Sequence, residues 1–411
     1  MLKSNPSSHI HDARDQCPSE ARGGHNALYT TLVGGELPVG VGEGLLCPRD
    51  SSFTSPLVKR GNPSPGREPR PMTDTIVLPA PGAMTEADID PTLDLVAEID
   101  RLRKERNAVI LAHYYQEGEI QDLADFVGDS LDLSRKAAAT DADMIVFCGV
   151  RFMGEVAKIL SPSKLVVIPD SEAGCSLEES CRPEPFRAFR EKHPDHIAVT
   201  YINCSAEVKA LSDVIVTSSN AEAIISQLPA DRPILFAPDR HLGAYMQKKT
   251  GRDMTLWPGS CIIHEQFSEK ELVKLKVRHP KALVAAHPEC PDSILNHADH
   301  VGSTRNILDF VLASSAKEFI IATEQHIIHQ MSKAAPDKTF IPAPGADGGC
   351  SCSNCPFMAR NTLEKIYLCL KNDAPAITVP EDLRVAALKP LERMLEMSKS
   401  VPMSGDKPNA A

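Results

Sequence analysis

Three stretches of equal length repeat in this chain without a gap. They read HYYQEGEIQDLADFVGDS from His113 to Ser130, YINCSAEVKALSDVIVTS from Tyr201 to Ser218, and HPECPDSILNHADHVGST from His287 to Thr304. Their starts, at 113, 201 and 287, lie 88 and 86 residues apart. Each opens on a polar ring residue, carries an Asp twelve places later (Asp125, Asp213, Asp299), and closes on a hydroxyl. A fixed period is the mark of a repeated structural unit, so a fold assigned to one copy must serve all three.

The repeat extends beyond these stretches. An apolar run precedes each one (AVILA, IAVT, ALVAA), and two further apolar runs follow, separated by amphipathic segments. Each copy then reaches cysteine: Cys175, Cys261, and the group Cys350, Cys352 and Cys355. Runs of four or five apolar residues alternating with helical patterns predict buried parallel strands with crossover helices. The fold class expected is α/β, as three three-layer α/β/α domains with parallel sheets, related by a pseudo-threefold axis around a shared centre. The repeats span 90–185, 186–270 and 271–358, after a linker at 72–89. Helices over 359–397 pack on the outside of the triplet with breaks at Pro375, Pro380 and Pro390, and 398–411 is a tail. A lead-in helix covers 86–104, and connector helices cover 183–193 and 269–278.

Residues 1–71 hold nine Pro, nine Gly and eight Ser without helical periodicity and read as a disordered extension. Met72 opens MTDTIVLPAPG and reads as an alternative start. A net charge of −11 with no basic stripe argues against a nucleic-acid partner, and no apolar run is long enough for a membrane span. Twelve cysteines without a secretory signal point to reduced thiols or metal ligands and a cytoplasmic protein.

In parallel α/β units, ligands bind beyond the carboxyl ends of the strands. His113 and Tyr115, Tyr201 and Asn203, and His287 and Glu289 stand at matching first-strand ends. His and Glu serve as acid or base and Tyr as donor. Ser130, Ser218, Ser303 and Thr304 stand at second-strand ends before helical patterns, where hydroxyls and free N–H groups bind anions or simply cap the helix. One cysteine from each copy gives three thiolates. Three would hold an iron–sulfur cubane with one iron open, and the half-site Cys352-x-x-Cys355 leaves zinc as the alternative. Cys148, Cys204, Cys290 and Cys369 read as buried fillers.

The segments AHYYQ, DFVGDS, GCSL, YINCSAEVKALSDVIVTSSNA, FAPDRHLGAY, PGSCIIHE, HPECP, GSTRNIL and CSCSNCPFM cover residues 90–397 in order, and together they resemble the quinolinate synthase family. The resemblance implies three α/β/α domains around one 4Fe–4S cluster per chain. It implies condensation of iminoaspartate with dihydroxyacetone phosphate to quinolinate, with loss of phosphate and water, in NAD biosynthesis. It implies Cys175, Cys261 and Cys355 as cluster ligands, with the open iron a Lewis acid for dehydration. Repeat spacing alone does not select Cys355. The interval from ring residue to cysteine is 62 in copy one and 60 in copy two; in copy three it is 63 to Cys350 and 68 to Cys355. Tyr115 and Glu289 resemble the proton-transfer residues, and Tyr201 one that contacts substrate; His113 counts with the catalytic set. The substrate-binding set is His113, Ser130, Tyr201, Asn203, Ser218, His287, Glu289, Ser303 and Thr304. An L-aspartate oxidase or dehydrogenase supplying the imine is the expected functional partner. Cys350 and Cys352, in a CxCxxC run, are candidates for oxidation onto Cys355. A single-substrate iron–sulfur hydro-lyase and a cluster-based sensor are the other readings of the same residues.

Overall fold

A computed structural model describes residues 75–346 and 353–401. The expected extension at 1–71, Cys350 and Cys352, and residues 402–411 lie outside the described residues. The apolar runs form three sheets. The first contains β1 (Ile76–Val77), β2 (Ala108–His113), β3 (Phe126–Gly128), β4 (Met144–Cys148) and β5 (Leu165–Val167). The second contains β6 (Ile197–Tyr201), β7 (Val214–Val216), β8 (Ile234–Ala237) and β9 (Met254–Leu256). The third contains β10 (Leu283–Ala286), β11 (His300–Val301), β12 (Glu318–Ala322) and β13 (Thr339–Pro342). A last strand, β14 (Ala376–Ile377), returns to the first sheet.

The three sheets share one topology. Their orders are β3-β2-β4-β5, β7-β6-β8-β9 and β11-β10-β12-β13, all parallel. Register repeats as well: Leu111 pairs with Phe126, Val199 with Val214, and Ala285 with His300. Helices flank each sheet, and apolar side chains bury both faces, as parallel sheets require.

The repeated Asp explains that common register. Asp125 accepts the Ile110 N–H, Asp213 the Ala198 N–H, and Asp299 the Val284 N–H, each at 2.8 Å. Each Asp N–H returns a bond to the carbonyl of that same residue. The Asp thus ties the start of the second strand to the first strand in every copy. Cationic side chains support the loop before it: Arg190 bonds the Leu211 carbonyl, and Lys276 bonds the equivalent His297 carbonyl.

Some elements differ from their sequence expectation. The lead-in helix starts at Leu95, where Asp94 caps the Ala97 N–H; Pro91 and the Asp90–Thr92 bonds keep the preceding segment out of it. Pro390 does not break the last helix, which runs through it from Glu381 to Met397. Proline costs that helix a backbone bond. Packing of its buried face against the helix Ala206–Ala210, β7 and the helix Arg151–Leu160 keeps it continuous. β1 and β14, antiparallel additions to the first sheet, are too short for periodicity to reveal. No helix among the described residues is long and apolar enough to cross a membrane.

Candidate active site

All the first strands end at one cavity with about 640 Å³ of atom-free space. Twelve of the thirteen expected site residues line it; Ser303 does not. Its hydroxyl caps the helix Thr304–Ala313 at the Asn306 N–H, bonds the Asn306 side chain, and accepts from Ser219. Ser219 also bonds Asp129, so residues from all three copies meet at this junction. Asp129 caps the helix Ser130–Ala139 in the same way. These two helix N-termini are therefore occupied by side-chain caps. The hydroxyls of Ser130, Ser218 and Thr304 are the ones placed at the cavity.

His113 and His287 are buried and equivalent. The Nδ1 of His113 accepts the Tyr115 N–H at 3.2 Å, and that of His287 accepts the Glu289 N–H at 3.4 Å. This places the ring proton of each neutral imidazole on Nε2. Burial pushes both rings down to about 3, so both are neutral near pH 7. Burial and the Glu289 charge hold the Tyr115 and Tyr201 hydroxyls well above their ordinary range. The Tyr115 hydroxyl shares bonds with Thr304 (2.9 Å) and Thr323 (2.8 Å).

Glu289 is buried beside these groups. Burial opposes its charge, but His287, His264 and a hydrogen bond from Tyr201 outweigh it, and the carboxyl lies below its ordinary range. His264 Nδ1 lies 2.8 Å from Glu289 Oε2, its ring stacks on His287, and its Nε2 meets Thr323 at 3.0 Å. No Lys or Arg is among the described lining residues, so an anion there meets hydroxyls, imidazoles and the Asn203 amide, beside the carboxyl groups of Asp129, Glu289 and Glu324. The Asn203 Oδ1 and Thr217 Oγ1 are buried there without a partner among the described residues.

Cys175, Cys261 and Cys355 all reach the cavity. The structure makes the three equivalent in a way residue counting does not. The residues two places before each cysteine, Ala173, Gly259 and Ser353, accept the N–H groups of Arg151, Arg240 and Gln325. Each cysteine carbonyl starts a helical turn, accepting from Glu179, Glu265 or Ala359. Backbone N–H groups two and three places on favour the thiolate in each case, against burial, which pushes Cys175 and Cys261 well up and Cys355 to about 11. A thiolate at Cys355 disfavours one at Cys175, and one at Cys175 disfavours one at Cys261. Asp239 and Glu324, at matching places after β8 and β12, each accept the N–H of their cysteine at 3.3 Å. Ligand atoms of Cys261, His264 and Glu289 lie within 4.8 Å of one another, a donor set suited to a metal group.

Sequence reasoning missed His264, Thr217, Thr323 and Glu324. His264 carried a signal, three places after Cys261 inside PGSCIIHE. Glu324 carried only its alignment with Asp239. Cys148, Cys204, Cys290 and Cys369 are buried free thiols, as expected.

A cavity at the ends of three sheets that gathers buried ionisable side chains and three thiols is the site of an enzyme. The sequence profile of the family described as Quinolinate synthetase A protein matches residues 97–396. The quinolinate synthase of Microcystis aeruginosa is 60% identical over 305 residues, 74% of this chain and 95% of that protein. That of Trichormus variabilis is 61% identical over 306 residues, 74% and 94% of the two chains. That of Chloroherpeton thalassium is 60% identical over 307 residues, 75% and 95%. The chain belongs to the quinolinate synthetase A family.

Proposed function

We propose that this chain is a quinolinate synthase that condenses iminoaspartate with dihydroxyacetone phosphate, releasing phosphate and water, in NAD biosynthesis. The observation that carries the reading is the convergence of His113, Tyr115, Tyr201, Asn203, His287 and Glu289 with three thiols on one cavity. Family membership supports the reaction. We read the three sheets as three repeats about a pseudo-threefold axis, with boundaries near 90–185, 186–270 and 271–358.

The substrates bring carboxylates and a phosphate to a cavity without lysine or arginine among its described lining residues. Hydroxyls of Ser130, Ser218 and Thr304, the Nε2–H groups of His113 and His287, and the Asn203 amide are the donors for them. The Tyr115 Oη donates a proton, supported by Thr304 and Thr323. The Glu289 carboxylate accepts one during enolisation and imine formation, and Tyr201 orients it. Cys175, Cys261 and Cys355 are the thiolates that would hold a 4Fe–4S cluster; their equivalent turns and shared cavity fit it. When bound, the cluster supplies Lewis acidity toward an oxygen leaving as water.

An oxidase or dehydrogenase acting on aspartate would supply the unstable imine, in the cytoplasm where thiols stay reduced. The test is quinolinate formation by the anaerobically purified protein. Product only when both substrates are present supports the reading. Turnover of a single hydroxy acid without the imine makes the protein a hydro-lyase instead.

A further inference from the structure

Lys209 is fully buried, yet it neither lines the cavity nor forms an ion pair among the described residues. Buried Glu155 lies near enough to feel its charge, but without a direct ion pair a buried ammonium is costly and needs hydrogen-bond partners. Its Nζ donates to the Ile202 carbonyl at 2.9 Å and to the Cys204 carbonyl, and sits 5.3 Å from the centre of the Phe152 ring. Those two carbonyls flank Asn203, the cavity amide whose Oδ1 has no partner among the described residues.

The first copy builds the same device from a different side chain. Gln121 stands eight places after His113, as Lys209 stands eight places after Tyr201. Its Nε2 donates to the Tyr114 carbonyl at 3.0 Å and the Gln116 carbonyl at 2.7 Å, the two that flank Tyr115. The third copy has Leu295 at this place. There Pro288 restricts the loop, the Cys290 thiol donates to the Ala322 carbonyl at 3.3 Å, and His264 contacts the Glu289 side chain directly.

We infer that Lys209 and Gln121 are positioning residues that clamp the two peptide groups around Asn203 and Tyr115 and so fix where those side chains stand in the cavity. The inference rests on the quinolinate synthase reading for its assay. Asn203 depends on its clamp more than Tyr115 does. Tyr115 is also held by Thr304 and Thr323, whereas the Asn203 oxygen has no such hold among the described residues. A misplacement of about 1 Å at a positioning group is enough to cost on the order of 100-fold in rate.

The test compares Lys209→Met with Lys209→Gln, which supplies the side chain that copy one uses. Lys209→Met is expected to lower kcat/KM about 30- to 100-fold, largely through KM, with iron content and circular dichroism unchanged. Lys209→Gln is expected to recover most of that loss. Equal activity of Lys209→Met and wild type, or equal loss in both variants with fold and iron intact, overturns the clamp. Should Lys209→Met not fold, Gln121→Leu in copy one is the parallel measurement. Its expected loss is about 3- to 10-fold, because Tyr115 keeps its side-chain bonds, and no loss overturns the clamp. Failure of wild type itself to form quinolinate counts against the proposed reaction, not the clamp. In that case wild type and Lys209→Met are compared by iminoaspartate-analogue binding, using a dicarboxylate such as maleate, and equal affinity overturns the clamp.

Discussion

Replacing Asp213 with Ala tests whether the most regular residue of the repeat serves structure or chemistry. Its Oδ2 is the partner of the Ala198 N–H, in the fully buried centre of β6. Removing it leaves a buried donor unsatisfied, which costs about 1–3 kcal/mol. Its Oδ1 also meets Arg190 at 2.7 Å, but both side chains are about one third exposed, so that pair adds about 0–1 kcal/mol after screening. The expected loss is about 2–3 kcal/mol, read as a lower urea midpoint at unchanged slope. Asp299 holds the Val284 N–H in the same way but has no arginine partner among the described residues. Asp299→Ala should therefore cost the same or up to about 1 kcal/mol less, and be less sensitive to salt. A change below about 0.5 kcal/mol in Asp213→Ala would refute the reasoning. Loss of turnover at full stability would refute it too, and would move the repeated Asp into the chemistry.

Other consequences follow from the same contacts. Glu289→Gln keeps the shape of the site but cannot accept a proton. It should retain iron while losing at least about 100-fold in kcat/KM, and near-normal turnover would remove Glu289 from proton transfer. Glu155 is buried with Thr75 and the Ala206 N–H, and burial, then Glu178, raises its carboxyl from 4.5 to about 7. A carboxyl raised on folding stabilises fully below 4.5, and that stability is lost as pH rises through about 7. Urea midpoints should fall over this window in wild type and fall less in Glu155→Gln; parallel profiles would contradict the assignment.

Much of this was legible in the sequence because the repeat constrains it three times over. Strand, helix and cysteine order in one copy had to fit the other two, and twelve residues chosen at strand ends and cysteines reached one cavity. Ser303 did not, because a hydroxyl before a helix is equally a cap, and only three-dimensional neighbours such as Ser219 and Asn306 decide which job it does. The equivalence of Cys355 was hidden because copy three carries a longer path to its cysteine. The bond from Gln325 to Ser353 shows where that extra length ends. Nothing in the sequence singles out Lys209. Its burial and its partnership with two carbonyls come from tertiary packing that periodicity does not encode.

The central claim is that Cys175, Cys261 and Cys355 together hold an iron–sulfur cluster. Iron, sulfide and zinc per chain, measured after anaerobic purification of wild type and Cys355→Ser, test it most directly. About four iron and four sulfide are expected in wild type, with loss of most of both in the variant. About one zinc without sulfide in both proteins would contradict it. That result would assign the metal to Cys261, His264 and Glu289.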